Sequence, residues 1–247
     1  MPTATTFDLF EEITVEEQQE LDNRKKQFNV DIEKQIAALP ADPKQRSMSE
    51  NRFIFNHVRE EKFARPGQHR QLLSRQECQH VLDVCRAQKA DSHQWTTDRH
   101  SAFPTTDIPV RHDDQLRHLE DLVKTRLFDE LADHYGFKAS DLAFRDIFLV
   151  KYSACAQRGL KLHTDGCLFS ITLLISHEDD FEGGGTYFKN MDDIVYLKQG
   201  DCAYHDAHVL HSGVDITKGE RYILVGFIDT VDTVSKDEKM NKQTLRR

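Results

Sequence analysis

The chain has 247 residues, of which 38% are hydrophobic and 30% charged, and its 42 acidic and 33 basic side chains give a formal net charge of −9. That length holds one ordinary domain with extensions, or at most two small ones. The acidic balance argues against a nucleic-acid partner, which calls for a basic face.

The N-terminus lacks the basic and apolar stretches of a secretory signal, and no later run nears the roughly 18 apolar residues of a membrane span. A soluble intracellular protein, cytoplasmic or nuclear and with no membrane partner, is expected. Residues 14–39 read as a helix, opened by the capping box Thr14-x-x-Glu17 and carrying a thin stripe of Leu21, Phe28, Ile32 and Ile36 before Pro40. Residues 40–70 show no clear pattern, and 1–70 together read as a charged, helical N-terminal extension. A second capping box, Ser74-x-x-Glu77, precedes Cys78, Val81, Leu82 and Cys85 at helical spacing. After an irregular stretch from Phe103 to Pro109, a helix over about 113–135 presents Leu116, Leu119, Val123, Leu127 and Leu131 and stops at Gly136. From Leu142 the period becomes that of strands, with candidates at 143–152, 168–176, 186–189, 194–197, 201–205 and 221–229. Gly183–Gly185 and Lys198–Asp201 break them as turns. Such short strands, preceded by helices, indicate an antiparallel β-sandwich or jelly roll buttressed by α-helices. Residues 232–247 read as a polar, frayed tail.

The five cysteines (78, 85, 155, 167 and 202) are odd in number and form no C-x-x-C pair, which suits free thiols in a reducing compartment. The histidines carry more information. His163 and Asp165 lie two apart, so on an extended strand both side chains face one way. A second imidazole would complete the two-histidine, one-carboxylate set that binds non-haem Fe(II) with open positions. His205, His208 and His211 compete for that role. Arg221 opens the last strong strand, where a guanidinium can grip a carboxylate with two parallel hydrogen bonds.

Taken together, several pieces resemble the prolyl 4-hydroxylase and lysyl hydroxylase branch of the Fe(II)/2-oxoglutarate dioxygenases. They are Val150-Lys-Tyr152, His163-Thr-Asp165, Asp180-Phe-Glu-Gly-Gly-Gly-Thr-Tyr-Phe188, Gly200-Asp201, Leu210-His-Ser-Gly213 and Thr217-Lys-Gly-Glu-Arg-Tyr-Ile223. The resemblance covers about residues 72–230. It implies a mainly β dioxygenase domain over 71–231, with a double-stranded β-helix core at about 142–230 and supporting N-terminal helices. It selects His211, the histidine within L-H-x-G, as the third metal ligand beside His163 and Asp165. It further implies Arg221 as the anchor for the distal carboxylate of 2-oxoglutarate and Tyr152 as a second contact to it; Thr172, on the next strand, is expected to face the same pocket. Fe(II) as cofactor, 2-oxoglutarate and O2 as co-substrates, and ascorbate as reductant follow from it too. The implied reaction is hydroxylation of an unactivated C–H bond, on a prolyl or lysyl residue of a protein or peptide, with release of succinate and CO2. A hydroxylase of a free amino acid or other small molecule is the alternative, and a non-catalytic metal-binding sensor is another. A nucleic-acid demethylase of this superfamily would carry a second arginine six residues after the first, where this chain has Phe227. Retention of Asp165 argues against a halogenase.

Overall fold

The computed structural model describes residues 13–87, 95–100 and 102–244. Residues 1–12, and the end of the tail at 245–247, lie outside the described residues. The chain divides into two compact units, Met1–Arg46 and Ser47–Arg247.

In the first unit, helix α1 (Val15–Ala37) starts where expected: the Thr14 side chain accepts from the Glu17 amide, and the Glu17 carboxylate accepts from the Thr14 amide. None of its side chains is buried, and Leu21 and Phe28 are exposed.

The second unit begins with α2 (Met48–Lys62), in the region where the sequence showed no clear pattern. It too opens on a capping box, between Ser47 and Glu50. Its weak amphipathic pattern is supplemented by tertiary contacts. Phe55 is buried among Phe63, Tyr135, Phe137 and Phe169. Arg59 forms a two-pronged, largely buried ion pair with Asp206. The compact unit therefore starts at Ser47, ahead of the edge near residue 71 read from sequence. Helices α3 (Arg75–Ala87) and α4 (His118–Tyr135) follow, and Gly136 ends α4 in the left-handed conformation at φ 78°.

The strands form two antiparallel sheets. A seven-stranded sheet runs β1 (Gly67–His69), β9 (Cys202–Asp206), β5 (Phe169–Leu174), β11 (Ile216–Thr230), β3 (Leu142–Ser153), β2 (Asp107–Pro109), with β6 (Phe181–Gly183) pairing on β11. A four-stranded sheet runs β4 (Leu160–His163), β10 (His211–Gly213), β7 (Thr186–Phe188), β8 (Asp193–Val195). One face of the larger sheet packs on α2, α3 and α4 through a core that includes Leu82, Leu119, Leu127, Phe169, Ile171 and Leu224. Side chains of alternate parity on the same strands, including Val150, Tyr152 and Ile223, point the other way and line the cavity described below. This is the expected jelly-roll core with supporting helices.

The chain ends in helix α5 (Val231–Thr244), where the sequence reading has a frayed tail. Ion pairs to α2 and β3 hold it, Arg52 to Asp232 at 3.1 Å and Arg145 to Asp237 at 2.9 Å. Among the described residues, no helix is long and apolar enough to cross a membrane.

Candidate active site

The smaller sheet brings the two histidines together. His163, the last residue of β4, stands directly opposite His211, the first of β10, with ring centroids 4.4 Å apart. Each ring donates its Nδ1 hydrogen to a carbonyl two residues earlier: His163 to Lys161 at 2.7 Å, His211 to Val209 at 2.9 Å. A carbonyl can only accept, so in the neutral form of each ring the proton sits on Nδ1 and Nε2 is bare. Those nitrogens converge on Asp165, His163 Nε2 lying 3.3 Å from Oδ1 and His211 Nε2 3.6 Å from Oδ2.

Asp165 sits just beyond β4 rather than on it, and its amide donates to the Ala207 carbonyl at 2.9 Å. Ser170 Oγ, on β5, donates to Asp165 Oδ2 at 2.5 Å, which orients the carboxylate. Burial opposes ionisation of Asp165, yet the His163 hydrogen bond, the neighbouring His211 and His205, and Ser170 outweigh it and hold the carboxyl down to about 2. For His211, burial and the nearby His205 dominate and push the imidazole down to about 3. For His163, burial opposes the charged ring, but the Asp165 carboxylate beside Nε2 and the Lys161 carbonyl on Nδ1 together outweigh it and raise the imidazole.

An ionised Asp165 carboxylate and an unprotonated His211 ring are the forms in which these two groups bind a metal. The ligand atoms of His163, Asp165 and His211 all lie within 4.8 Å of one another. Three donors bound at about 2.1 Å to one ion stand roughly 3 Å apart, so these residues fit a single metal. His208 is exposed and takes no part.

The opposite end of the cavity is built differently. Arg221 of β11 lies across from Tyr152 of β3, and both are 3% exposed. The guanidinium carbon is 5.8 Å from the Tyr152 ring and 5.9 Å from Phe181. No carboxylate pairs with it among the described residues, and its NH1 atom has no hydrogen-bond partner. Burial lowers the Arg221 pKa, and burial pushes the Tyr152 phenol up to about 12. Gly184 has a φ of +76°, and a Cβ there would come within 3.1 Å of Arg221 Cδ. The glycine run thus ends β6 and links it to β7, and it lets the backbone pass close to the Arg221 side chain.

The cavity joining the two ends has a volume of about 420 Å³, and Thr172, Thr186, Phe148 and Val225 are among its walls. All five sequence-nominated residues, Tyr152, His163, Asp165, His211 and Arg221, line it. So do His205, a rival for the ligand role in the sequence, and Ser170, Phe103 and Arg99, which motif reasoning did not place there. Phe103 lies 4.9 Å from the His163 ring, and Arg99 ties Asp107 to Asp146 at 2.6 and 2.5 Å.

One cavity of this two-sheet jelly roll thus holds a His–Asp–His group and a buried arginine with no carboxylate partner among the described residues, and the fold is similar to that of solved 2OG-Fe(II) oxygenases. Among solved structures, a prolyl-4-hydroxylase of Pseudomonas putida superposes with a TM-score of 0.52 at 14% identity, covering 72% of this chain and 98% of that one. In sequence, the chain is similar to the multifunctional procollagen lysine hydroxylase and glycosyltransferase of Homo sapiens, 28% identical over 174 residues. That match covers 64% of this chain and 23% of the human protein. It is also similar to the Homo sapiens procollagen-lysine,2-oxoglutarate 5-dioxygenase 2, 37% identical over 86 residues, which are 33% of this chain and 12% of that protein. The chain thus spans about a quarter or less of the length of these relatives. No family model matches the chain.

Proposed function

We propose that this protein is a 2-oxoglutarate-dependent dioxygenase that hydroxylates an unactivated C–H bond, on a prolyl or lysyl residue of a polypeptide. The observation that carries this reading is the buried Arg221, unpaired, in the same cavity as His163, Asp165 and His211. A buried cation without a counter-charge is costly, and a carboxylate of 2-oxoglutarate supplies one.

In this reading His163, Asp165 and His211 hold Fe(II). The iron, when bound, supplies the chemistry by which O2 and 2-oxoglutarate convert a C–H to a C–OH, with succinate and CO2 as by-products. The protein's own contribution is orientation and exclusion of water. Arg221 grips the distal carboxylate of the co-substrate in two-pronged fashion, and the neutral Tyr152 phenol donates to the same group. Phe103, Phe148, Val150, Ile223 and Val225 present apolar walls to the space between. Ascorbate serves as the reductant that restores the ferrous state.

A polypeptide is favoured over a free amino acid by what adjoins the cavity. Arg99, His100, Gly166 and Phe227 line it and also line a neighbouring groove of about 700 Å³ walled by Val234, Asp237, Glu238 and Met240 of α5. Ligand pockets run to roughly 300–1,000 Å³ for drug-sized molecules. A single amino acid would leave most of the combined space empty, whereas a chain segment can fill the groove and insert one side chain.

The test is aerobic incubation with Fe(II), 2-oxoglutarate and ascorbate against peptide pools and free amino acids. Substrate-dependent succinate with a one-oxygen mass gain on a peptide residue is expected. A gain only on free amino acids, or succinate that never depends on a second substrate, would contradict the reading.

A further inference from the structure

Among the described residues, three buried side-chain nitrogens of the cavity lining lack a hydrogen-bond partner: Arg221 NH1 and His205 Nε2 in its interior, and His100 Nε2 where it adjoins the neighbouring groove. Arg221 NH1 is a donor. His205 Nδ1 donates to the Asp206 carbonyl at 2.9 Å, so the ring's proton is on Nδ1 and Nε2 is a bare acceptor. His205 is 1% exposed and lines the cavity beside the triad. It stands on β9 opposite Ser170, its ring edge-on to His211 at 4.4 Å and to Phe188 at 5.1 Å.

A buried acceptor left bare costs stability, so the question is what donates to it. Ser170 already donates to Asp165. The Nε2 atoms of His163 and His211 and the Asp165 carboxylate are themselves acceptors. 2-Oxoglutarate at neutral pH has two carboxylates and a keto oxygen, all acceptors, so it answers Arg221 and cannot answer His205. What remains is the group that enters last.

We propose that His205 is a specificity-determining residue whose Nε2 receives an N–H or O–H of the substrate side chain. The inference rests on the oxygenase reading above and narrows it. Side chains that carry an ammonium, amide or hydroxyl donor are accepted, and a prolyl ring, which offers only C–H at that depth, is disfavoured. Where a site is built to hydrogen-bond a substrate group, an analogue that lacks the group leaves a buried polar atom unpaired and is strongly rejected.

The experiment uses the full chain with Fe(II) and 2-oxoglutarate. Peptide pools carry lysine, asparagine, proline or norleucine at one position within randomised flanks, norleucine being the lysine-like chain without its ammonium. One-oxygen products are expected from a donor-bearing pool at least about tenfold faster than from the norleucine and proline pools. His205→Phe keeps an aromatic ring against His211 and Phe188. It should collapse that ratio to within about twofold, while the 2-oxoglutarate requirement and the visible spectrum of the Co(II)-substituted protein stay as in the wild type. His205→Asn, which restores an acceptor, should recover part of the preference.

An undiminished preference in His205→Phe would overturn the proposal, its Nε2 then serving only a water. Preferred modification of proline, or no modified pool in a protein that shows the Fe(II)–2-oxoglutarate absorption band, would overturn it too. Absence of the band itself would instead sink the reading on which the proposal rests.

Discussion

The two ends of the cavity are finished to different degrees. At the metal end the protein supplies its own supports: two backbone carbonyls fix the histidine rings, and Ser170 and the Ala207 carbonyl fix Asp165. At the anchor end Arg221 is sealed between aromatic rings with no counter-charge among the described residues. The first arrangement presets geometry for an ion that demands it. The second leaves an electrostatic deficit that only an incoming anion removes. Mutations at the two ends should therefore differ in kind.

The largest effect is expected at the metal end. Asp165→Ala should lower Mn(II) or Co(II) affinity by more than about 100-fold, beyond the 10–100-fold typical of residues that merely support a ligand, as read by calorimetric titration. Near-normal affinity would show that the carboxylate is not a ligand. At the anchor end, Arg221→Met should raise the 2-oxoglutarate requirement by roughly 10–100-fold, since a hydrogen bond to a charged group contributes about 1.5–3 kcal/mol, with the Fe(II) requirement unchanged. The same substitution should leave the melting temperature equal or higher, because it removes a buried charge that has no partner. A clear loss of stability would mean that Arg221 is satisfied within the protein.

Ser170→Ala should weaken metal binding by about tenfold without changing the 2-oxoglutarate requirement measured at saturating metal. Equal effects on both would erase the division between the two ends. The smallest effect lies outside the cavity. Asp229 is buried, and burial, only partly offset by Arg145, pushes its carboxyl up to about 6. A folded-state value above the unfolded one favours the protonated form, so this group's contribution to stability is present near pH 4 and lost as pH rises through about 6. Asp229→Asn should accordingly raise the melting temperature at pH 7 and leave it unchanged near pH 4. The opposite pH order would mean that the ion pair to Arg145 dominates.

How much of this was legible from sequence depended on the range of the interaction. β3, β5 and β11 declare themselves because long apolar strands must alternate between two environments. Helices α1, α3 and α4 announce their ends through Thr14, Ser74 and Gly136. α2 went unread although it carries the same kind of capping box, because its stability depends on Phe55 and Arg59 reaching partners far along the chain. The short strands β1, β4 and β10 have too few residues for any period. The ligand set was legible as motif, but the His163–His211 pairing that makes it a site is a fact of strand register. Ser170 is invisible for the same reason, and His205, readable in the sequence only as a rival ligand, comes to stand opposite it beside the triad once β5 and β9 pair.

The central claim is that the two ends act on one ligand pair, iron held at one and 2-oxoglutarate clamped at the other. Anaerobic addition of Fe(II) and then 2-oxoglutarate to the purified protein, followed by visible spectroscopy, tests it most directly. The account predicts a weak metal-to-ligand charge-transfer band that saturates with 2-oxoglutarate, is lost in His163→Ala, and in Arg221→Met appears only at much higher 2-oxoglutarate. No band in the wild type, or a band indifferent to both substitutions, would contradict it.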